Sequence, residues 1–250
     1  MYLILPAYNE EESLPALLRR VAGFSTKSGI PVHTIVVDDG SRDATVQVAE
    51  TDPGDVQVIR HAKNQGLGAA VKTGLQAACE MSTADDLIAM MDADNTHDPD
   101  LLSDMKRRLE NGFDVVIASR YAPGGREVGL ALPRRMGSRM VSRTLRTLFP
   151  IPGARDYTCG FRLYRSSIVR RAFDTYADDL ITETSFVCMA ELLVKLHSVG
   201  ARVTESPLVL RYDFKKGESK MRIVRTLGRY WTFATSQRRR IFQIRKEFGV

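Results

Sequence analysis

Apolar residues recur in two rhythms along the first half of the chain. Short runs rich in aliphatic and β-branched residues occur at Tyr2 to Pro6, Thr34 to Val37, Val56 to Ile59, Leu87 to Met91 and Val115 to Ala118. Between them, apolar positions return every three or four residues, as on one face of a helix. Glu10 to Val21 carries Leu14, Leu17, Leu18 and Val21 at that spacing, and Ala44 to Glu50, Ala69 to Cys79 and Asp98 to Leu109 read the same way. Strand and helix in alternation predict parallel βαβ units, hence a doubly wound, Rossmann-like, mostly parallel sheet of the α/β class. The second half begins with an arginine-rich helical stretch from Arg134 to Phe149 and a segment from Thr158 to Tyr164. A helix from Ser185 to Val199, a pair of strands between Val203 and Tyr212, and a basic amphipathic tail from Met221 complete it. The expected division is an α/β domain over residues 1–220 and a helical tail over 221–250.

Open sheets of this kind gather ligands beyond the carboxyl ends of their strands. Tyr8-Asn9-Glu10, Asp38-Asp39, Asn64 to Gly68, Asp92-Ala93-Asp94 and Arg120 all follow predicted strands, so one sheet edge should present them together. Asp92 and Asp94, one residue apart where the chain leaves its pleat, can both reach one hard cation such as Mg2+ or Mn2+. The competing reading is a helix cap by Asp94 or Asp98 ahead of Pro99. In Asp38-Asp39-Gly40-Ser41-Arg42-Asp43-Ala44-Thr45 a capped turn accounts for Gly40, Ser41 and Asp43, whereas a carboxylate accepting from a base or ribose accounts for the paired acids. Gly66-Leu67-Gly68 lacks the third glycine of a dinucleotide fingerprint, which favours close packing of a helix start. His97 reads as a polar cap or a donor behind the acids, and Glu191 as structural. The chain has no Gly-x-Ser-x-Gly elbow, P-loop, HExxH or Cys-x-x-Cys.

Composition adds location. An apolar content of 44% with 26% charged residues is that of a folded globular protein. The net charge of +6 is concentrated: Lys215 to Val250 holds 11 basic and 2 acidic residues, and Val128 to Arg155 holds six arginines and no acid. Such blocks suit an anionic partner. Cys79, Cys159 and Cys188 are odd in number and widely spaced, which fits reduced core thiols. No signal peptide and no apolar run of about 18 residues is visible, so the expected location is cytoplasmic. The tail has two readings. Ile223, Val224, Leu227, Tyr230, Trp231 and Ala234 form either a docking face on the core or, as favoured here, a stripe lying in an anionic bilayer interface.

Pro6-Ala7-Tyr8-Asn9-Glu10, the Asp38 to Thr45 stretch, Asn64 to Gly68, Asp92-Ala93-Asp94, Ser119-Arg120-Tyr121, Asp156 to Arg162 and Gly217-Glu218-Ser219-Lys220 occur in that order. In this the chain resembles the family 2 glycosyltransferases, and within them the dolichyl-phosphate and polyprenyl-phosphate mannose synthases. The resemblance covers about residues 2 to 222. It implies a GT-A fold, with a nucleotide sugar held by Pro6, Tyr8, Glu10 and Asp39, with Ala93, Arg211 and Lys220 beside it. It also implies Mg2+ or Mn2+ at Asp92 and Asp94, with the Thr96 hydroxyl serving the metal through water, and an acceptor phosphate at Arg120, Arg134 and Ser138. The chain departs from the subfamily at Thr96, where Gln is common, and at Phe214, where an Arg is expected; Arg211, Lys215 or Lys216 are candidate replacements.

The implied reaction is inverting transfer of one hexose to a polyprenyl or dolichyl phosphate at the cytoplasmic face of a membrane. GDP-mannose is favoured over UDP-glucose as donor. A phosphate monoester acceptor needs no general base, because its second pKa of about 6 leaves it largely dianionic at neutral pH. Its difficulty is repulsion from the anionic donor, which clamping arginines answer. A soluble hydroxyl acceptor is the second expectation. A nucleic-acid-binding protein is the third, disfavoured because it leaves the carboxylate clusters without a role.

Overall fold

A computed structural model describes residues 1–129, 132–211 and 223–249, with the backbone alone given for some positions in the helices. The first half follows β1 (Tyr2–Ala7), α1 (Leu14–Ser28), β2 (His33–Asp38), α2 (Thr45–Glu50), β3 (Val56–Arg60), α3 (Leu67–Met81), β4 (Leu87–Met90), α4 (Leu101–Glu110) and β5 (Val115–Ser119). It continues through β6 (Arg126–Val128), α5 (Leu132–Leu148), β7 (Arg162–Arg165), α6 (Ser166–Tyr176), a 3-10 turn (Ala177–Leu180) and α7 (Cys188–Ser198), then β8 (Val203–Pro207), β9 (Val209–Arg211) and α8 (Ile223–Glu247). Seven strands form one sheet in the order β3-β2-β1-β4-β7-β5-β8. Leu3–Leu5, Ile35–Val37, Ile88–Met90 and Val115–Ala118 are buried, as a sheet covered by helices on both faces requires.

Every neighbouring pair is parallel except those of β7, which runs antiparallel between β4 and β5. Neither β7 nor α6 was expected from the pattern, and Arg162 explains part of that. An arginine opening a strand reads as an exposed position, yet this one is fully buried. Its guanidinium donates to the carbonyls of Tyr157, Cys159 and Met189 at 2.8, 3.0 and 2.7 Å, so a buried charge is satisfied by backbone.

Three further expectations change. α1 passes through Gly23 and stops only at Gly29, whose φ of 68° supplies a left-handed cap. The strands between Val203 and Tyr212 do not pair with each other: β8 joins β5, and β9 joins β6 in a separate two-stranded parallel sheet. The tail is a single 25-residue helix. Tyr230, Phe233, Ile241 and Ile244 are buried, α8 packs on α7 and α5, and the Phe233 ring lies 5.5 Å from that of Phe149. These positions dock α8 on the core; of the stripe expected from the sequence, the side chains of Ile223, Val224, Leu227, Trp231 and Ala234 lie outside the described residues. Apolar side chains are exposed at Phe242 and Phe248 and more fully on α5, where Met136 is 63% and Met140 56% exposed beside exposed Arg139 and Arg143. Among the described residues no helix is long and apolar enough to cross a membrane. The three cysteines are buried and unpaired.

Candidate active site

The loops after β1 and β2 are laced together. Asn9 N donates to Ser41 Oγ at 2.9 Å and Arg42 N to Asn9 Oδ1 at 2.9 Å. Glu10 N donates to Thr45 Oγ1 at 2.8 Å and Ala44 N to Glu11 Oε2 at 2.8 Å. Asn9 sits at φ 52°, a left-handed conformation that Asn tolerates better than most residues. The Ser41 hydroxyl therefore serves Asn9 rather than capping α2. Burial alone would raise the Asp43 carboxyl, but donation from the Thr45 hydroxyl and nearby backbone N–H groups holds it below its usual range. This clasp brings Pro6, Tyr8 and Glu10 to the edge shared with Asp38 and Asp39.

Both acids of the Asp38-Asp39 pair have structural partners. Asp38 accepts from Ser41 N at 3.1 Å, closing the Gly40 turn. Asp39 accepts from His61 Nδ1 at 2.8 Å, Gln65 N at 2.9 Å and Gly66 N at 2.8 Å. Asp39 thus fastens the loop entering α3 to the end of β2. Gly68 N in turn donates to Thr184 O at 3.2 Å, and a Cβ on Gly68 would lie 1.8 Å from Glu183 O. Gly66-Leu67-Gly68 is accordingly a packing motif. Glu191 is fully buried and fixes that same loop, accepting from Thr182 N at 3.0 Å, Glu183 N at 2.9 Å and Lys195 Nζ at 2.5 Å.

The acidic loop after β4 is held from three sides. Arg20, on α1, donates to Asn95 Oδ1 at 2.8 Å and His97 O at 3.0 Å and pairs with Asp98 at 3.1 Å. Nothing in the α1 pattern singles out Arg20, since it follows Arg19 and arginines on the polar side of a helix ordinarily face solvent. Thr96 donates through its hydroxyl to Asp94 Oδ1 at 2.6 Å and through its N–H at 3.2 Å, so its visible work is to orient Asp94. His97 packs on Phe161 with ring centroids 5.2 Å apart. It places Nδ1 3.4 Å from Asp92 N and Nε2 4.0 Å from Asp92 Oδ2. Asp92, Asp94 and Arg211 also have partners beyond these; Arg211 N reaches Thr96 O at 3.4 Å, which seats the end of β9 beside the acids. Ala93 is buried between them.

This donor set suits a hard divalent cation. The Asp92 side chain is 41% exposed, its neighbour Asp94 supplies a second carboxylate, and the donor atoms are oxygens. Among the described residues no group of three or more His, Cys, Asp or Glu could enclose a metal. Two carboxylates leaving coordination positions for phosphate oxygens is the arrangement Mg2+ adopts with nucleotides.

A second cluster surrounds Arg120. Its Nε and Nη2 grip both Asp156 oxygens at 2.7 and 2.8 Å, Nη2 also reaches Thr158 Oγ1 at 2.7 Å, and Nη1 lies 3.4 Å from Glu127. Burial would raise the fully buried Asp156 carboxyl, but the Arg120 charge and its hydrogen bonds hold it below the carboxylate range. Asp156 N and Arg155 N donate to Glu205 at 2.7 and 2.5 Å, and burial pushes the Glu205 carboxyl up. Tyr121 OH donates to Ser138 Oγ at 2.9 Å, and the Tyr121 ring lies 5.1 Å from the Arg120 guanidinium and 6.0 Å from that of Arg139. Burial pushes the Tyr121 phenol up to about 12. Arg120 therefore faces two carboxylates, an outcome that its sequence context did not disclose. Asp156 carried one signal: it is the acid that ends the acid-free, arginine-rich stretch.

One loop joins the two clusters. Asp156 grips Arg120, and four residues on, a Cβ at Gly160 would lie 2.6 Å from Asp92 Oδ1. Arg134 falls in the first turn of α5, where the backbone alone is described. Phe214, Lys215, Lys216 and Lys220 lie outside the described residues.

Comparison with known proteins agrees with this layout. The glycosyl transferase family 2 model matches residues 2–173. The polyprenol monophosphomannose synthase of Mycolicibacterium smegmatis is 32% identical over 88% of this chain and 80% of its own length. The undecaprenyl-phosphate mannosyltransferase of Micrococcus luteus is 33% identical over 87% and 86%. Among solved structures, glucosyl-3-phosphoglycerate synthase from Mycobacterium tuberculosis in complex with Mg2+ and UDP superposes with a TM-score of 0.65 at 16% identity, covering 95% of this chain and 78% of that one. The last likeness concerns the fold, which is GT-A. With the family model spanning more than half of the chain and relatives above 30% identity along most of its length, the chain belongs to the family 2 glycosyltransferases and is a glycosyltransferase.

Proposed function

We propose that this enzyme transfers one mannosyl residue from GDP-mannose to a polyprenyl phosphate, with inversion at the anomeric carbon. The observation that carries the reading is the Asp156–Gly160 loop, which sets the Arg120 cluster at one end and Asp92 at the other. A donor diphosphate at the acids would then lie within one loop's span of the Arg120 cluster, to which Ser138 is joined through Tyr121. The mannosyltransferase relatives, similar along most of the chain, support the substrate class.

In this mechanism Asp92 and Asp94 would hold Mg2+ or Mn2+, with Thr96 orienting Asp94. The cation, when bound, neutralises charge on the departing diphosphate. Pro6, Tyr8, Glu10 and Asp39 contact the nucleoside, with Ala93, Arg211 and Lys220 at the diphosphate side. An acceptor phosphate oxygen attacks the anomeric carbon as the bond to the diphosphate breaks, and GDP leaves. No general base is required, because the nucleophile is already an anion. Arg120, facing Asp156 and Glu127, has little net charge to offer a dianion. The acceptor phosphate is therefore assigned to Ser138 and Arg134, with Arg120 shaping the pocket and lending one Nη1 hydrogen.

The exposed Met136, Arg139, Met140 and Arg143 of α5 adjoin Ser138, which supports a peripheral approach to an anionic membrane surface from which a lipid acceptor is drawn. The exposed Arg239 of α8 would add positive charge to such a surface. The test is a matrix of purified chain and Mn2+ with GDP-mannose or UDP-glucose, against a short polyprenyl phosphate or a soluble hydroxyl acceptor. Labelled lipid with GDP-mannose alone is expected; label only on the hydroxyl acceptor would reject the reading.

A further inference from the structure

Among the described residues, the Asp39 carboxylate is set by three donors, of which His61 is the one side chain. A carboxylate offers about four acceptor positions. Oδ1 takes His61 Nδ1 and Gln65 N, and Oδ2 takes Gly66 N, so one position on Oδ2 is left. The terminal torsion of an Asp side chain is broad and roughly two-fold. Two backbone donors from one loop leave it some rotation; a third donor arriving from the end of β3 removes it.

His61 is built for that task. Its side chain is 8% exposed. Its backbone N–H donates to Asp38 O at 2.8 Å, so the β2–β3 ladder does not need the ring. Nε2 lies 3.0 Å from Thr73 Oγ1 on α3, which holds the imidazole from its far side. A carboxylate only accepts, so Nδ1 carries a proton in either charge state and Thr73 meets Nε2.

We propose that His61 is a positioning residue for the donor nucleotide: through Nδ1–H it turns the Asp39 carboxylate so that the remaining Oδ2 position accepts an N–H or O–H of the nucleoside. This rests on the reading of Asp39 as a nucleoside contact. The inference concerns the nucleoside half of the donor, not its diphosphate. A His61 that only filled space between β3 and α3 would have no such selectivity.

The experiment compares His61→Asn, whose amide nitrogen replaces Nδ1, with His61→Gln, whose amide replaces Nε2. Binding of GDP, UDP and inorganic pyrophosphate to the full chain in Mn2+ is measured by calorimetry. For whichever nucleotide binds the unaltered protein, His61→Gln and His61→Ala are expected to weaken it about tenfold, the scale of a charge-assisted hydrogen bond. His61→Asn should stay within about threefold, and pyrophosphate binding should be unchanged throughout. Equal losses for Asn and Gln, or parallel loss of pyrophosphate binding, would overturn the proposal. Should His61→Ala fail to fold, the Asn and Gln pair still decides. Asp39→Asn, run alongside, separates two failures. If it binds nucleotide normally, the reading of Asp39 falls and takes His61 with it. If it binds weakly while His61→Gln binds normally, His61 alone is wrong.

Discussion

In the proposed mechanism Asp94 is the residue on which the donor half of the site turns. It is 8% exposed and accepts both the hydroxyl and the N–H of Thr96. Asp94→Asn preserves shape and the Thr96 bonds while removing a charge. Transfer should fall by about 10²–10³ with the melting temperature held, as read by an activity assay beside a thermal melt. Gly160 tests the same site from outside. A Cβ there meets the carboxylate of Asp92 rather than backbone, so Gly160→Ala should leave stability nearly intact. It should raise the Mn2+ concentration for half activity about tenfold, and an unchanged Mn2+ titration would detach Asp92 from the metal. Asp156 is the residue with most to lose. Breaking a buried ion pair by removing one partner costs about 3–5 kcal/mol, the expected loss for Asp156→Asn in urea melts. Its folded pKa is depressed, so its stabilisation is fully present above the ordinary carboxylate value of about 4. That stabilisation is lost as pH falls through the lower folded value. Asp156→Asn should flatten this part of the acid-unfolding curve. What the sequence hid at this scale is reciprocity: Asp39, Arg120 and Thr96 announce themselves by motif, whereas the partners that fix them, His61, Asp156 and Arg20, carry no local pattern.

Among elements, the alternation from β1 to β5 was legible because each buried strand is a short aliphatic run and each helix carries one apolar stripe. β7 was not, since it is four residues long and opens with Arg162. Its buried charge is satisfied by carbonyls that only the folded chain brings near. What the tail's apolar stripe faces was not legible for a related reason. An amphipathic stripe looks the same whether it faces lipid or protein, and Tyr230, Phe233, Ile241 and Ile244 face protein. The membrane reading therefore moves toward α5, where Met136 and Met140 are exposed beside Arg139 and Arg143. Replacing Arg139 and Arg143 together by Glu should release the chain from anionic vesicles in flotation. Stability should change by no more than about 0.5 kcal/mol per exposed site. Undiminished flotation would remove α5 from the membrane-facing surface.

At the scale of the molecule, one sheet edge collects the described motifs that follow β1, β2, β4 and β5. The alternation of strand and helix and the strand-end rule were enough to foresee that gathering. They gave no hint that Asp156–Gly160, entering beside the antiparallel β7, would join acids to cations. In the proposed mechanism that loop makes a single site of two halves, so the measurement that tests the account most directly is the identity of the product. Purified chain, Mn2+, GDP-mannose and a short polyprenyl phosphate should yield a mannosyl phosphodiester, of inverted anomeric configuration by NMR, with one GDP released per mannose transferred. A chelator should abolish it. Retained configuration, GDP release without lipid product, or mannose appearing on a hydroxyl acceptor instead would contradict it.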